Sequence, residues 1–153
     1  MNVKIFNLDS DHAGMKEELI EAFKGVLARG EYILGKETTA LEAAFAKYIG
    51  VKYAVGVANG TDALRIGGLS LNVKAGDKFV TTPNTYVASA MALSMQGLIP
   101  CFCDVELETF NMDPEKLKDL LKREKGIKLC IPVHLYGHPC KVDEILTVCK
   151  EYG

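Results

Sequence analysis

Residues 59–62 read Asn-Gly-Thr-Asp, and they join two unlike stretches. Before them, Tyr53-Ala54-Val55-Gly56-Val57-Ala58 is short and apolar, with the glycines Gly50 and Gly60 on either side, which suits a buried strand. After them, Ala63-Leu64-Arg65-Ile66 opens a helical pattern. A strand, a glycine turn and a helix start in direct succession bring unpaired backbone N–H groups to one point. Such a point attracts an anion, and a phosphate most of all. Gly60 lets the backbone come close to it, and the Thr61 hydroxyl adds a donor. A second reading carries equal weight: Asn59 or Thr61 is a helix cap and nothing more. Further along, Thr82-Pro83-Asn84-Thr85-Tyr86 places an aromatic just after a proline turn. Tyr86 there either stacks on a flat ring whose phosphate lies at Gly60, or belongs to the core. A third group, Cys101-x-Cys103 with His134, His138 and Cys140, contains the ligand types that zinc prefers. Cys101 and Cys103 fall in an apolar run that reads as a strand, so the reading as small hydrophobes outweighs a metal site, and the expected metal is none.

These residues need elements to hold them. Leu19, Ile20, Phe23, Val26 and Leu27 recur at helical spacing, as do Leu41, Phe45, Tyr48 and Ile49, with Gly30 and Gly50 as stops. The glycine-bounded loop Gly30-Glu31-Tyr32-Ile33-Leu34-Gly35 between them reads as a connector packed by its own side chains. From residue 53 the pattern becomes strand then helix: 53–58 with 62–71, 78–82 with 85–95, 99–105 with 114–125, and 128–134 with 141–151. That alternation predicts parallel strands with helical crossovers, and ligands in such sheets bind beyond the carboxyl ends of the strands. Asp113, Pro114 and Glu115 mark a helix start, while Lys122, Arg123 and Lys125 before Gly126 mark its stop.

A net charge of −2 gives no reason to expect nucleic acid. The most apolar stretch, Val87 to Cys103, is broken by Ser89, Ser94, Gln96, Gly97 and Pro100 and does not suit a membrane span. The opening MNVKIFNLDSDHAG lacks a signal-peptide core, so a cytoplasmic location is the expectation. The five cysteines include no Cys-x-x-Cys pair and are expected to be reduced.

Gly30-Glu31-Tyr32-Ile33-Leu34-Gly35, Asn59-Gly60-Thr61-Asp62-Ala63-Leu64, Pro83-Asn84-Thr85-Tyr86-Val87-Ala88, Asn111-Met112-Asp113-Pro114 and Pro132-Val133-His134-Leu135-Tyr136-Gly137 stand in the order and spacing of one family. From about residue 17 to 153 the chain resembles the DegT/DnrJ/StrS sugar aminotransferases. The resemblance implies an α/β fold, three-layer α/β/α, forming part of the large domain of the fold-type I transferases dependent on pyridoxal 5′-phosphate (PLP). The activity it implies moves an amino group from an amino acid, usually glutamate, to a nucleotide-linked keto sugar. The family's phosphate contacts fall on Gly60 and Thr61, beside Asn59, and its ring-stacking aromatic falls on Tyr86. Tyr32 matches a position near the sugar substrate and the interface of a homodimer. His134 and Tyr136 match the strand end beneath the cofactor, in a supporting role, and Asp104 and Asp113 match structural positions.

By the same resemblance, residues 1–35 form an N-terminal helical segment with a substrate and dimer loop, and 36–153 form the N-terminal part of the PLP-binding domain, the remainder being absent. The family's Schiff-base lysine and its aspartate against the pyridine nitrogen come after the point where this sequence stops. The lysines present, such as Lys141 and Lys150, read as helix-surface residues, so the chain alone is expected to be inactive. The strand at 53–58 is expected to lack its neighbours in the sheet, and so to face an open edge, re-pair, or recruit another chain. The alternatives are a catalytically inert sugar-binding, regulatory or assembly domain of the same fold and, less favoured, a small zinc-binding module.

Overall fold

The computed structural model describes residues 7, 8 and 12–153, which divide into a compact unit ending at Gly56 and a second unit, Val57–Gly153. The first unit carries α1 (Lys16–Arg29) and α2 (Lys36–Ile49). Both end where the glycine pattern predicts: Gly30 and Gly50 sit in the left-handed region, at φ 69° and 78°, and donate their N–H groups to Val26 O and Ala46 O. The loop between the helices departs from expectation. Tyr32, Ile33 and Leu34 are 66%, 86% and 83% exposed, so the loop is not packed by its own side chains.

The predicted strand at 53–58 is also absent. Residues 53–57 form no regular structure, and the Gly56 N–H donates to Glu42 Oε1 of α2 at 2.7 Å. A strand exists only through the ladder it makes with a neighbour, and this segment makes none among the described residues.

The second unit is α/β and three-layered. Its sheet has three parallel strands in the order β2-β1-β3, where β1 is Lys78–Thr81, β2 is Ile99–Phe102 and β3 is Ile127–Cys130. Successive residues of the central strand face opposite sides, and the two buried clusters follow from that. Val80 packs with Leu117 and Leu120 of α5 (Pro114–Arg123) and with Ile145 and Val148 of α6 (Val142–Tyr152). Phe79 packs on the other side with Leu93 of α4 (Ala88–Ser94). Leu93 in turn lies against Gly68 of α3 (Gly60–Ser70), close enough that a methyl group on Gly68 would overlap it. All three strands expected beyond residue 70 therefore form, each shorter than its apolar run, with a helix after each.

The start of α5 matches its sequence signal. Asp113 Oδ1 accepts the N–H groups of Glu115 and Lys116, Pro114 occupies the first turn, and Lys122 and Arg123 fill the last one. Helix α4 begins later than the pattern predicts, at Ala88, because Pro83–Tyr86 continues as a turn that closes when Ser89 N–H donates to Tyr86 O. Cys103 is 2% exposed within the Val80 cluster, and burial pushes its thiol up to about 12. Among the described residues no group of His, Cys, Asp and Glu side chains is placed to hold a metal ion, and no helix is long and apolar enough to cross a membrane.

Candidate functional site

The first candidate point is the start of α3. Asn59 is its N-cap: Asn59 Oδ1 accepts the Asp62 N–H at 2.9 Å, and Ala63 N–H reaches Asn59 O at 3.0 Å. The cap therefore serves the third residue of the helix and leaves the first two. Among the described residues neither the Gly60 nor the Thr61 N–H has an acceptor. A methyl group placed on Gly60 would have no heavy atom within 4 Å, so the space over this turn is open. The cap and anion readings thus concern different N–H groups and do not compete. Asp62 lies in the same turn, with its carboxylate held by Asn59 Nδ2 at 3.2 Å and facing Arg65 Nε at 3.8 Å. Those two partners partly offset its charge.

Tyr86 follows the carboxyl end of β1, is 78% exposed and belongs to neither buried cluster of the described residues. No hydrogen bond ties it to Asn59, Gly60 or Thr61 among the described residues. Tyr32 belongs to the first unit, where it is exposed in the loop between α1 and α2.

Past the carboxyl end of β3, residues 134–138 form a tight turn around Leu135–Gly137, with Tyr136 at φ 52°, a conformation rare for a bulky side chain. His134 Nδ1 accepts the Cys140 N–H at 3.1 Å, which leaves Nε2 as the nitrogen that carries the proton of the neutral ring. That bond supports the backbone of the turn. Asp104, past β2, accepts its own neighbour's N–H from Val105 and, through its carbonyl, the Asp113 N–H.

Two asparagines that the sequence reading gave no role hold these loops. Asn111 is 2% exposed; its Oδ1 accepts Leu135 N–H at 3.0 Å and its Nδ2 donates to His138 O at 2.9 Å. Asn84, in the turn before Tyr86, donates from Nδ2 to Phe110 O at 2.9 Å. Lys141 precedes α6 and pairs with Glu106, which draws that carboxyl below the usual carboxylate range; Lys150 is exposed on α6.

The sequence profile of the DegT/DnrJ/EryC1/StrS aminotransferases matches residues 13–153. The chain belongs to this family. It is 38% identical over 152 residues to the UDP-2-acetamido-2-deoxy-3-oxo-D-glucuronate aminotransferase of Pseudomonas aeruginosa, which covers 99% of this chain and 42% of that protein. It is also 38% identical over 139 residues to the dTDP-3-amino-3,6-dideoxy-alpha-D-galactopyranose transaminase of Aneurinibacillus thermoaerophilus, covering 90% of this chain and 38% of that one. The chain thus spans about two fifths of the length of these curated relatives. Among solved structures, S. venezuelae DesV in complex with a ketimine intermediate superposes with a TM-score of 0.92 at 31% identity, over 99% of this chain and 40% of that one. The Bacillus subtilis NtdA structure with bound cofactor PMP gives 0.84 at 28%, over 89% and 31%. The fold is therefore that of the PLP-dependent aminotransferases of fold-type I, and the strand order β2-β1-β3 is this family member's share of it.

Proposed function

We propose that the protein to which these residues belong is a PLP-dependent aminotransferase acting on a nucleotide-linked keto sugar, with an amino acid, glutamate in the first instance, as amino donor. The observation that carries this reading is the 38% identity across 99% of the chain to an aminotransferase of a UDP-linked 3-oxo sugar. The residues present fit the cofactor: the Gly60 and Thr61 N–H groups lack acceptors among the described residues, and a methyl group placed on Gly60 would meet nothing within 4 Å, which leaves room for a phosphate beside it. In this reading Gly60, Thr61 and the Thr61 hydroxyl hold the phosphate, Asn59 keeps the turn in shape, Tyr86 lies against the ring and Tyr32 meets the sugar. When bound, PLP supplies an electron sink for the carbon that exchanges its amino group. The chain's own residues bind and orient. The same reading makes the complete protein a cytoplasmic homodimer, with residues 1–35 as a substrate and dimer segment and 36–153 as the start of the cofactor domain.

The test is a spectrum and a turnover assay on the full-length protein. Bound PLP gives an absorbance band that L-glutamate bleaches, and a UDP- or dTDP-linked keto sugar then restores it, with the amino sugar detected by mass spectrometry. A protein that binds no PLP ends the proposal. A second reading, an inert regulatory domain of the same fold, has the support of a relative 33% identical over the whole chain that is named a pleiotropic regulatory protein; PLP binding without turnover on any nucleotide sugar favours it.

A further inference from the structure

We propose that Asn111 is a positioning residue that locks together the two loops beyond the carboxyl ends of β1 and β3, so that the turn carrying Tyr86 and the turn carrying His134 and Tyr136 hold one fixed arrangement. The inference rests on the PLP reading for its functional consequence but on hydrogen bonds alone for its geometry.

Asn111 is 2% exposed and both polar atoms of its carboxamide are engaged: the oxygen accepts Leu135 N–H and the nitrogen donates to His138 O. It thereby bridges both ends of a turn whose middle residue, Tyr136, is at φ 52°. Such a conformation costs of order 1 kcal/mol or more and persists only where its surroundings over-determine it. Here the bonds of Gly137 N–H to His134 O, His138 N–H to Leu135 O and Cys140 N–H to His134 Nδ1 add to the pair from Asn111. The residue before Asn111 completes the lock. Phe110, itself at φ 57°, offers its carbonyl to Asn84 Nδ2, and Asn84 lies two residues before Tyr86. Phe110 and Asn111 are in turn anchored to Glu106, by Phe110 N–H to Glu106 O and Glu106 N–H to Asn111 O. One dipeptide therefore carries the bonds to both loops. A residue that only filled space would not need both amide atoms, and an apolar side chain at 111 would leave Leu135 N–H and His138 O without partners.

The experiment uses the full-length protein with Asn111→Ala, Asn111→Asp and Asn84→Ala, the last being an exposed side chain whose loss leaves the fold intact. Amide hydrogen exchange without ligand is the first measurement. Loss of a bond of this kind raises exchange by about fivefold to tenfold, so Asn111→Ala is expected to do so at Leu135. Asn84→Ala, which never touches Leu135, is expected to raise the same amide about threefold. Unchanged exchange at Leu135 in Asn84→Ala overturns the lock, whether or not PLP binds. The second measurement is the absorbance maximum and dissociation constant of added PLP. Both alanine variants are expected to shift the band and weaken binding, with the double variant losing less than the product of the single losses. Asn111→Asp keeps the acceptor for Leu135 N–H but sets a second oxygen against His138 O, so it is expected to recover part of the loss at acid pH, where a protonated carboxyl can donate to that carbonyl, and not where it is ionised. A lower melting temperature with band and dissociation constant unchanged shows a purely structural asparagine and overturns the proposal. A wild-type protein that takes up no PLP instead sinks the functional reading, and the exchange data then decide the lock alone.

Discussion

Tyr86 shows how far a single residue can be read. Its place after Pro83 was visible in the sequence, but whether its ring was buried was not, because burial depends on what the rest of the chain brings near. The structure leaves it 78% exposed, so its removal has little to disturb in the core. In the full-length protein Tyr86→Ala is expected to weaken PLP retention by about 1 kcal/mol, or about fivefold, on the scale of an aromatic stacking pair. Equilibrium dialysis with PLP measures this, and an unchanged constant takes Tyr86 out of the site. Asn111 was legible only as part of a motif, since its partners, Leu135 and His138, are far along the chain and nothing local signals a buried amide that needs them. The cysteines give a second residue-scale case. The neighbouring Cys130 thiol draws Cys149 down to about 7, while Cys130, whose Sγ donates to Met112 Sδ at 3.7 Å, is pushed up by Cys149 and by burial. Thiolate is the reactive form, so iodoacetamide is expected to label Cys149 ahead of the buried Cys103 at pH 7.5. Its rate should climb through pH 7 and level off near pH 8. Cys130→Ala, which removes the neighbouring thiol, is expected to move that rise to higher pH. Equal labelling of all the cysteines, followed by peptide mass mapping, would contradict the assignment.

At the scale of elements, the signals that worked were local ones. Asp113-Pro114 starts α5 and Gly30 and Gly50 stop α1 and α2, because a cap is a bond between near neighbours. The start of α4 was misplaced because Thr85 and Tyr86 are compatible with helix, and only the turn fixed by Asn84 and Ser89 decides otherwise. The adjacent glycines of α3 offer a test of packing with opposite signs. Gly67 is exposed, with nothing within 4 Å of an added methyl group. Gly67→Ala is therefore expected to stabilise by about 0.5–1 kcal/mol, the helix preference of alanine over glycine. Gly68 is buried, and the same methyl group would overlap Leu93 Cδ2. Leu93 is only 1% exposed and must shift to admit that methyl group, so Gly68→Ala is expected to destabilise by about 1–3 kcal/mol through overpacking. Urea midpoints of the two variants against the parent settle it; a shift in the same direction for both would mean that α3 does not pack on Leu93 as described.

For the molecule as a whole, the part of the fold least legible in sequence was pairing. Residues 53–58 have the composition of a strand and pair with no other strand among the described residues, because composition reports what a segment can bury and a ladder requires a partner that composition does not name. The sheet that does form leaves β2 and β3 as its outer strands. In the first unit, Phe23 is 64% exposed, Phe45 53%, Tyr48 84% and Val55 79%. Apolar faces of this kind seldom stay bare on a soluble monomer, and unpaired backbone beside them adds a template for association. Residues 1–153 produced alone are therefore expected to self-associate at about 10 μM and above, with sedimentation showing species heavier than the 16.7 kDa chain and with strong binding of a hydrophobic dye. Phe45→Glu is expected to reduce both signals without changing the helix content, since it places a charge on the exposed face of α2 and touches no buried cluster. The same preparation is expected to show no aminotransferase turnover with PLP, glutamate and a nucleotide keto sugar, because the proposed reading places the Schiff-base lysine outside these residues. A monodisperse 16.7 kDa monomer that excludes the dye would refute the association, and turnover by that monomer would refute the placement of the missing lysine as well.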